Sequence, residues 1–484
     1  MQDKDFIVNV GPQSTFNRSG NYQTLPDDLD EMFEKFQLNS VKKIAVFFHG
    51  GLVNETSGLH SARNMAPYLK EAGYTPVCFV WETGLIETIG TNISKISQTR
   101  LFHKLLKLIL KKVSDKIGFE SEVGRGNGSA PITDTEIEHE LSTPNPFAEF
   151  KRERSNPSDR GATNLTDLAN RRVVLQSELQ TEIRISIESD FEFRQSIEQT
   201  KLNLGGVEAG GRGFIDLTSF IIHTASIAYR IISRFIEKRD HDLYPTVVEE
   251  ILREFYIAEV GAWVWKSMKD KSDEMWTSNG GRIGLNQYVG RYFLDKLAAY
   301  KQRNPETEIS LIGHSAGAIA ICNLIKHTSF LPFKFTYEHI ILLAPACRTD
   351  VFENEILNRP NMFKSIRVFT MSDKFECKDL LVPYFYTHSL LYLISGVLEE
   401  EGDAYDAYIL GMERHCNFCL PYNIPTLSNL HEYLFEEEKN RISFSVTLDS
   451  VPKGMHSTAQ KHGDFDENLP TLRSLQFLLN PLEN

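Results

Sequence analysis

Residues 309–325, ISLIGHSAGAIAICNLI, set one apolar run against a second, helix-forming one with only GHSAG between them. No other stretch limits the fold as tightly. A loop that merely reversed the chain would need one glycine, whereas Gly313 and Gly317 flank Ser315 at alternate positions. That spacing predicts a strand, a turn too tight for neighbouring side chains, and then a helix, with the serine held up in a strained conformation.

Short apolar runs ending in small or polar residues recur: KIAVFFHGG (43–51), TPVCFVWET (75–83), EISLIGHS (308–315), HIILLAPA (339–346), SIRVFTMSD (365–373) and RISFSVTLD (441–449). Most are continuous rather than alternating, as parallel strands covered on both faces should be. Helical patterns at 61–73, 284–302 and 317–327 lie between them. Together they predict an α/β fold with a mostly parallel central sheet flanked by helices, and DFIVNV (5–10) as an edge strand.

The 484 residues suffice for two or three average domains, or for one large α/β domain with insertions. The interval 90–283 breaks the alternation and reads as a helical cap inserted between core segments 1–89 and 284–484. Its middle, roughly 120–212, is polar and expected to be partly mobile. A further helical excursion at 380–440 separates the last two strands. The apolar stretches 380–398 and 214–235 carry Pro383, His388, Asp216, His223 and Arg230, so both are expected to be buried helices rather than spans.

A net charge of -13 argues against a general nucleic-acid binder. Six scattered cysteines and a first segment without a signal-peptide pattern lead to the expectation of a reducing, cytoplasmic setting. His415, Cys416 and Cys419 form only half of a zinc pattern, and no metal is expected there.

A serine raised at a strand end is a poor nucleophile unless a base takes its proton and an acid orients that base. The N–H of Ala316, at the start of the helix, is placed to meet an oxyanion. In the order serine, acid, histidine, the acid should end the strand after next. Asp373 stands at that turn, with Asp379 the runner-up and Asp350 third. The histidine should follow the last strand, where His462 is preferred and His456 is the alternate. Each residue also has an ordinary structural use: Ser315 as a helix cap at a small-residue crossing, the aspartates as loop or cap residues.

HGG at 49–51 resembles the oxyanion loop of lipases and esterases, in which Gly50 and Gly51 let backbone amides approach the substrate. There the N–H of Gly51 or Leu52 would join that of Ala316, and His49 would shape the loop. GHSAG, HGG, Asp373 and His462 together resemble the α/β-hydrolase superfamily over 40–85 and 284–484. The resemblance implies a Ser–His–Asp mechanism through an acyl-enzyme on Ser315, with no metal and no organic cofactor. It does not reach 90–283.

Helix 101–119 places Phe102, Leu106, Ile109, Val113 and Ile117 on one face and Lys104, Lys107 and Lys111 elsewhere. Such a helix suits either a lid or peripheral contact with an anionic membrane. Phe255, Tyr256, Trp263 and Trp265 could line an apolar site. The leading expectation is a lipase- or phospholipase-like esterase acting on a lipid or acyl ester. A serine peptidase or amidase, and a non-catalytic protein that keeps the fold, are the alternatives.

Overall fold

The computed structural model describes residues 2–51, 54–81, 86–117, 132–148, 165–203, 212–399, 406–481. Seven strands form one sheet: β1 (Ile7–Val10), β2 (Lys43–Phe48), β3 (Thr75–Trp81), β6 (Glu308–His314), β7 (Tyr337–Leu343), β8 (Phe363–Met371) and β9 (Ile442–Ser445). A separate antiparallel pair is made by β4 (Lys201–Asn203) and β5 (Arg212–Phe214). Within the large sheet the order is β1-β3-β2-β6-β7-β8-β9, and every pairing is parallel. The α/β fold expected from the continuous apolar runs is therefore present, with β1 at the edge. β2, β3 and β6 are buried at every position after the first, which is why their sequences do not alternate.

The strand order also positions the site. From β2 the chain steps outward to β3, then returns through β6 to the other flank and continues to β9. The direction reverses between the neighbours β2 and β6. At such a point loops diverge and leave a crevice outside the carboxyl ends of the strands. HGG follows β2 and GHSAG spans the end of β6, so both motifs meet there.

The chain divides into two compact units. The sheet unit comprises Met1–Glu87, Val264–Asp379 and Tyr408–Asn484; the helical unit comprises Thr88–Trp263 and Leu380–Ala407. The expected insertion boundary at 283 moves to 263 because the segment after it packs on the sheet. Trp276 stacks edge-on against Phe48, and Lys271 Nζ donates to the carbonyl of Val10. The excursion at 380–440 splits in a similar way, because Tyr386 and Asp406 bond residues of the helical unit.

Inside the helical unit, helix Leu217–Ile236 lies against Arg100–Ile117, Leu165–Ser189 and Leu243–Phe255. Asp216, an interruption in the apolar stretch, caps the first of these by accepting from Ser219 N–H at 3.0 Å. The helix expected over 380–398 is helical only from Leu390 onward. Pro383 lacks a donor and Tyr384 takes φ 69°, so the preceding residues turn instead. The continuous helix expected over 243–270 breaks at Tyr256 and again at Gly261, which has φ 98°. In the polar middle, helices Asp134–Leu141, Leu165–Ser189 and Phe191–Gln199 are formed, while 120–131, 149–164 and 204–211 lie outside the described residues. No helix among the described residues is long and apolar enough to cross a membrane.

Candidate active site

Ser315 sits between β6 and helix Gly317–Thr328 with φ 52°, in the left-handed region that side chains with a Cβ avoid. Such strain persists only where surroundings enforce it. Here Ser315 N–H donates to Leu343 O at 2.8 Å, and Ser315 O accepts from Ala346 N–H at 3.1 Å. The flanking glycines leave room. A Cβ on Gly317 would lie 2.3 Å from the carbonyl oxygen of Phe48, and one on Gly313 would lie 2.7 Å from the backbone carbon of Gly317. Close packing of helix on strand demands both.

The HGG loop comes to the same place. A Cβ on Gly51 would stand 2.5 Å from Ala316 Cβ and 2.5 Å from Met268 Sδ, so its backbone lies directly against the elbow. Gly50 is also near, with a built Cβ 3.3 Å from that of Ser315. Ala316 occupies the N-cap of the helix, where a backbone N–H has no intrahelical acceptor. His49 is turned away from the serine. Its Nδ1 bonds the Gly50 carbonyl, its Nε2 accepts from Trp81 N–H at 3.2 Å, and burial pushes its pKa down to about 4. Leu52 lies outside the described residues.

His462 reaches this elbow from near the end of the chain. Its Nε2 is 2.8 Å from Ser315 Oγ. Burial, then the neighbouring His314, push its pKa down to about 3, so the ring is neutral near pH 7. With Nε2 accepting from the serine hydroxyl, Nδ1 carries the proton, and that buried nitrogen has no hydrogen-bond partner.

Asp373, the leading candidate for the acid, is engaged away from His462. Asp373 goes to Arg414, with oxygens 3.3 Å from the guanidinium, and its N–H donates to Glu413. Asp350 pairs with Arg348, and His456 bonds Thr447 Oγ1 at 2.8 Å. Asp379 is the aspartate brought to His462, accepting its backbone N–H at 2.8 Å through Oδ2. Burial raises the pKa of Asp379, with that N–H opposing.

Two residues absent from the sequence-based set complete the arrangement. His314 Nε2 donates to the carbonyl of His462 at 3.0 Å, and its Nδ1 lies 3.5 Å from Asp466 Oδ2. Asp466 also accepts from Ser61 Oγ at 2.6 Å. Burial works against a charge on His314, but Asp466 outweighs it and holds the pKa above the usual histidine value. Asp466 would likewise be raised by burial, yet His314 and the Ser61 hydroxyl hold it at about 2. His314 was visible as the variable residue of GHSAG. Nothing in the sequence pattern separated Asp466 from Asp464.

The grouping can transfer a proton from a serine hydroxyl to an imidazole beside the closely packed backbone of Gly51 and Ala316. Ser315 is only 3% exposed, so a substrate reaches Oγ only after covering atoms move. Comparison of the chain with protein-family models, with curated proteins and with solved structures finds no match.

Proposed function

We propose that this chain is a serine hydrolase that cleaves carboxylic esters, with lipids as its substrates, by way of an acyl-enzyme on Ser315. The observation that carries the reading is the 2.8 Å contact between Ser315 Oγ and a neutral, buried His462 Nε2, made at a residue held at φ 52°. In this scheme Oγ attacks the acyl carbon while Nε2 takes its proton. The N–H groups of Ala316 and Gly51 receive the oxyanion. Collapse expels the alcohol, protonated by His462, and water repeats the sequence on the acyl-enzyme. His314, anchored by Asp466, fixes the backbone of the base.

The proton left on Nδ1 needs an acceptor once the ring becomes charged. Asp379 is the proposed acid, since a carboxylate can take that N–H while keeping the backbone N–H it already holds. The lipid assignment draws on the helical unit, which carries a 320 Å³ cavity lined in part by Phe102, Leu106, Tyr244 and Phe385. Apolar lining of that kind suits an acyl chain.

The near-complete burial of Ser315 favours a second reading, in which the elbow survives as structure without turnover. Labelling with a fluorophosphonate, with and without detergent micelles, separates the two. The hydrolase reading expects labelling that micelles accelerate and that Ser315→Ala and His462→Ala abolish. It also expects Asp379→Asn to lower p-nitrophenyl ester turnover by about a hundredfold or more, with Asp373→Asn near wild type. Absent labelling under both conditions, or labelling unchanged in Ser315→Ala, sinks it.

A further inference from the structure

At the opposite end of the sheet, where β7 and β8 begin and just ahead of β9, lies a cavity of about 140 Å³. It is a strand's length, roughly 20 Å, from the serine end. Four cationic side chains line it, namely Lys364, Arg367, Lys439 and Arg441, together with Ser365 and Tyr433. That concentration stands out in a chain of net charge -13.

Two of the four cations are already neutralised. Lys364 pairs with Glu338 at 2.7 Å, and Arg441 pairs with Glu436 at 2.6 Å while stacking over the Tyr433 ring. The other two are not. Arg367 makes a single hydrogen bond, from Nη1 to the Gly454 carbonyl at 3.3 Å, and its buried Nε has no partner. Burial with no carboxylate beside it pushes its pKa down to about 10. Lys439 is exposed and forms no ion pair among the described residues. A half-buried guanidinium without a counter-charge is disfavoured, and a bound anion would relieve it.

We propose that this cavity binds a phosphate group, held between Arg367 and Lys439. The surplus of two positive charges matches a phosphate carrying about -1.5 to -2 at neutral pH better than it matches a monovalent carboxylate. A guanidinium offers paired N–H donors to phosphate oxygens, and Lys439 adds a point charge at the rim. At roughly 30 Å³ per water, the space holds four or five waters' worth of ligand, enough for one phosphate group and too little for a nucleotide. The group belongs either to free phosphate or to the head of a small phosphoester.

Calorimetric titration of the full chain at low salt distinguishes these sources. Inorganic phosphate, glycerol 3-phosphate and chloride at matched ionic strength are the three probes. Saturable binding is expected for phosphate, the phosphomonoester or both, and not for chloride; the tighter of the two identifies the source. Arg367→Gln should weaken that binding by about ten- to a hundredfold and Lys439→Gln by about three- to tenfold. Fluorophosphonate labelling of Ser315 should be unchanged in both, so the outcome is independent of the hydrolase reading. Absence of saturable binding by either phosphate probe overturns the proposal, as does wild-type affinity in both variants. Should Arg367→Gln fail to fold, the exposed Lys439→Gln decides alone.

Discussion

The interiors of the two units are held together by different physics. In the sheet unit, β2, β3 and β6 bury apolar side chains, and Gly313 and Gly317 let the helix after β6 touch strand backbone. In the helical unit, charges cross the core. Arg234, fully buried, bonds Glu249 at 2.8 Å and Glu250 at 3.1 Å, and Glu250 also takes Arg230 at 2.7 Å. His241 and Tyr386 each reach Glu249 at 2.8 Å. The first interior is limited by space, the second by charge pairing.

The sharpest way to break that comparison is to remove Arg234. Arg234→Ala leaves Glu249 and Glu250 buried without the guanidinium they share, at an expected cost of about 3–5 kcal/mol. Hydrogen exchange read separately over 217–255 and over the sheet strands should show the loss confined to the helices. A cost below about 1 kcal/mol would mean that water or the remaining arginines compensate, and the contrast would fail.

The space-limited side is tested at Gly317. A methyl there meets the Phe48 carbonyl oxygen at 2.3 Å, a backbone atom that cannot rotate aside. Gly317→Ala should cost about 2–3 kcal/mol by forcing the helix off β2, and it should also slow Ser315 labelling because the elbow moves with it. Thermal unfolding with the labelling assay checks both. An unchanged midpoint would show that helix and strand can separate freely.

These contrasts explain what could be read before the fold was known. Parallel strands buried on both faces leave continuous apolar runs, so β2, β3, β6, β7 and β8 were legible within a few residues. The elbow was legible because a positive φ flanked by close-packed glycines leaves a local pattern. The acid was not. Asp373 stands at the expected turn, but Arg414, far along the chain, claims it, whereas Asp379 owes its place to where His462 arrives. Burial of Arg234 was equally hidden, since a charged residue on a helix is usually solvated and only the facing helix supplies Glu249 and Glu250. The stretch 380–398 misled for the opposite reason: apolar composition without a period looks helical even where Pro383 and Tyr384 turn the chain.

Acid should separate the units through the groups each buries. His462 and His49 are held neutral in the sheet unit, with pKa values of about 3 and 4 against 6.5 when unfolded. Protons therefore bind the unfolded chain first, and stability falls as the pH drops below about 6.5. His314 acts in the opposite sense, since its raised pKa favours the folded state at low pH. Asp466, at about 2, contributes stability that is fully present at neutral pH and is lost only as the pH falls below about 3.8. The helical unit's Glu250, held at about 2 by its arginines against burial, loses nothing until the pH falls below about 4.5. Between pH 7 and 5 His462 and His49 should each cost the sheet unit about 2 kcal/mol, of which the raised pKa values of His314 and Asp379 return part, while Glu249 and Glu250 contribute no change. Exchange protection measured at the two pH values checks this; equal losses in both units would remove the distinction.

The smallest expected effect lies on the surface of the charge-paired unit. Lys107 pairs with Glu138 and Lys111 with Asp134, but both carboxylates are largely in water, 64% and 76% exposed. Their geometry resembles that of the core pairs, at 2.6 and 2.8 Å, so any difference in worth comes from solvent. Exposed pairs contribute about 0–1 kcal/mol, and Lys107→Gln with Lys111→Gln should shift stability by less than about 1 kcal/mol together. The same double variant addresses the expected anionic-membrane contact of this helix. Charge attraction near a surface scales with the number of basic residues, so a helix that rests on lipid should lose vesicle binding while its fold is untouched. Sedimentation with phosphatidylserine vesicles measures it. Wild-type binding retained in the double variant would assign these lysines to their carboxylate partners alone, and a large stability loss would show that distance rather than burial sets the strength of the pairs.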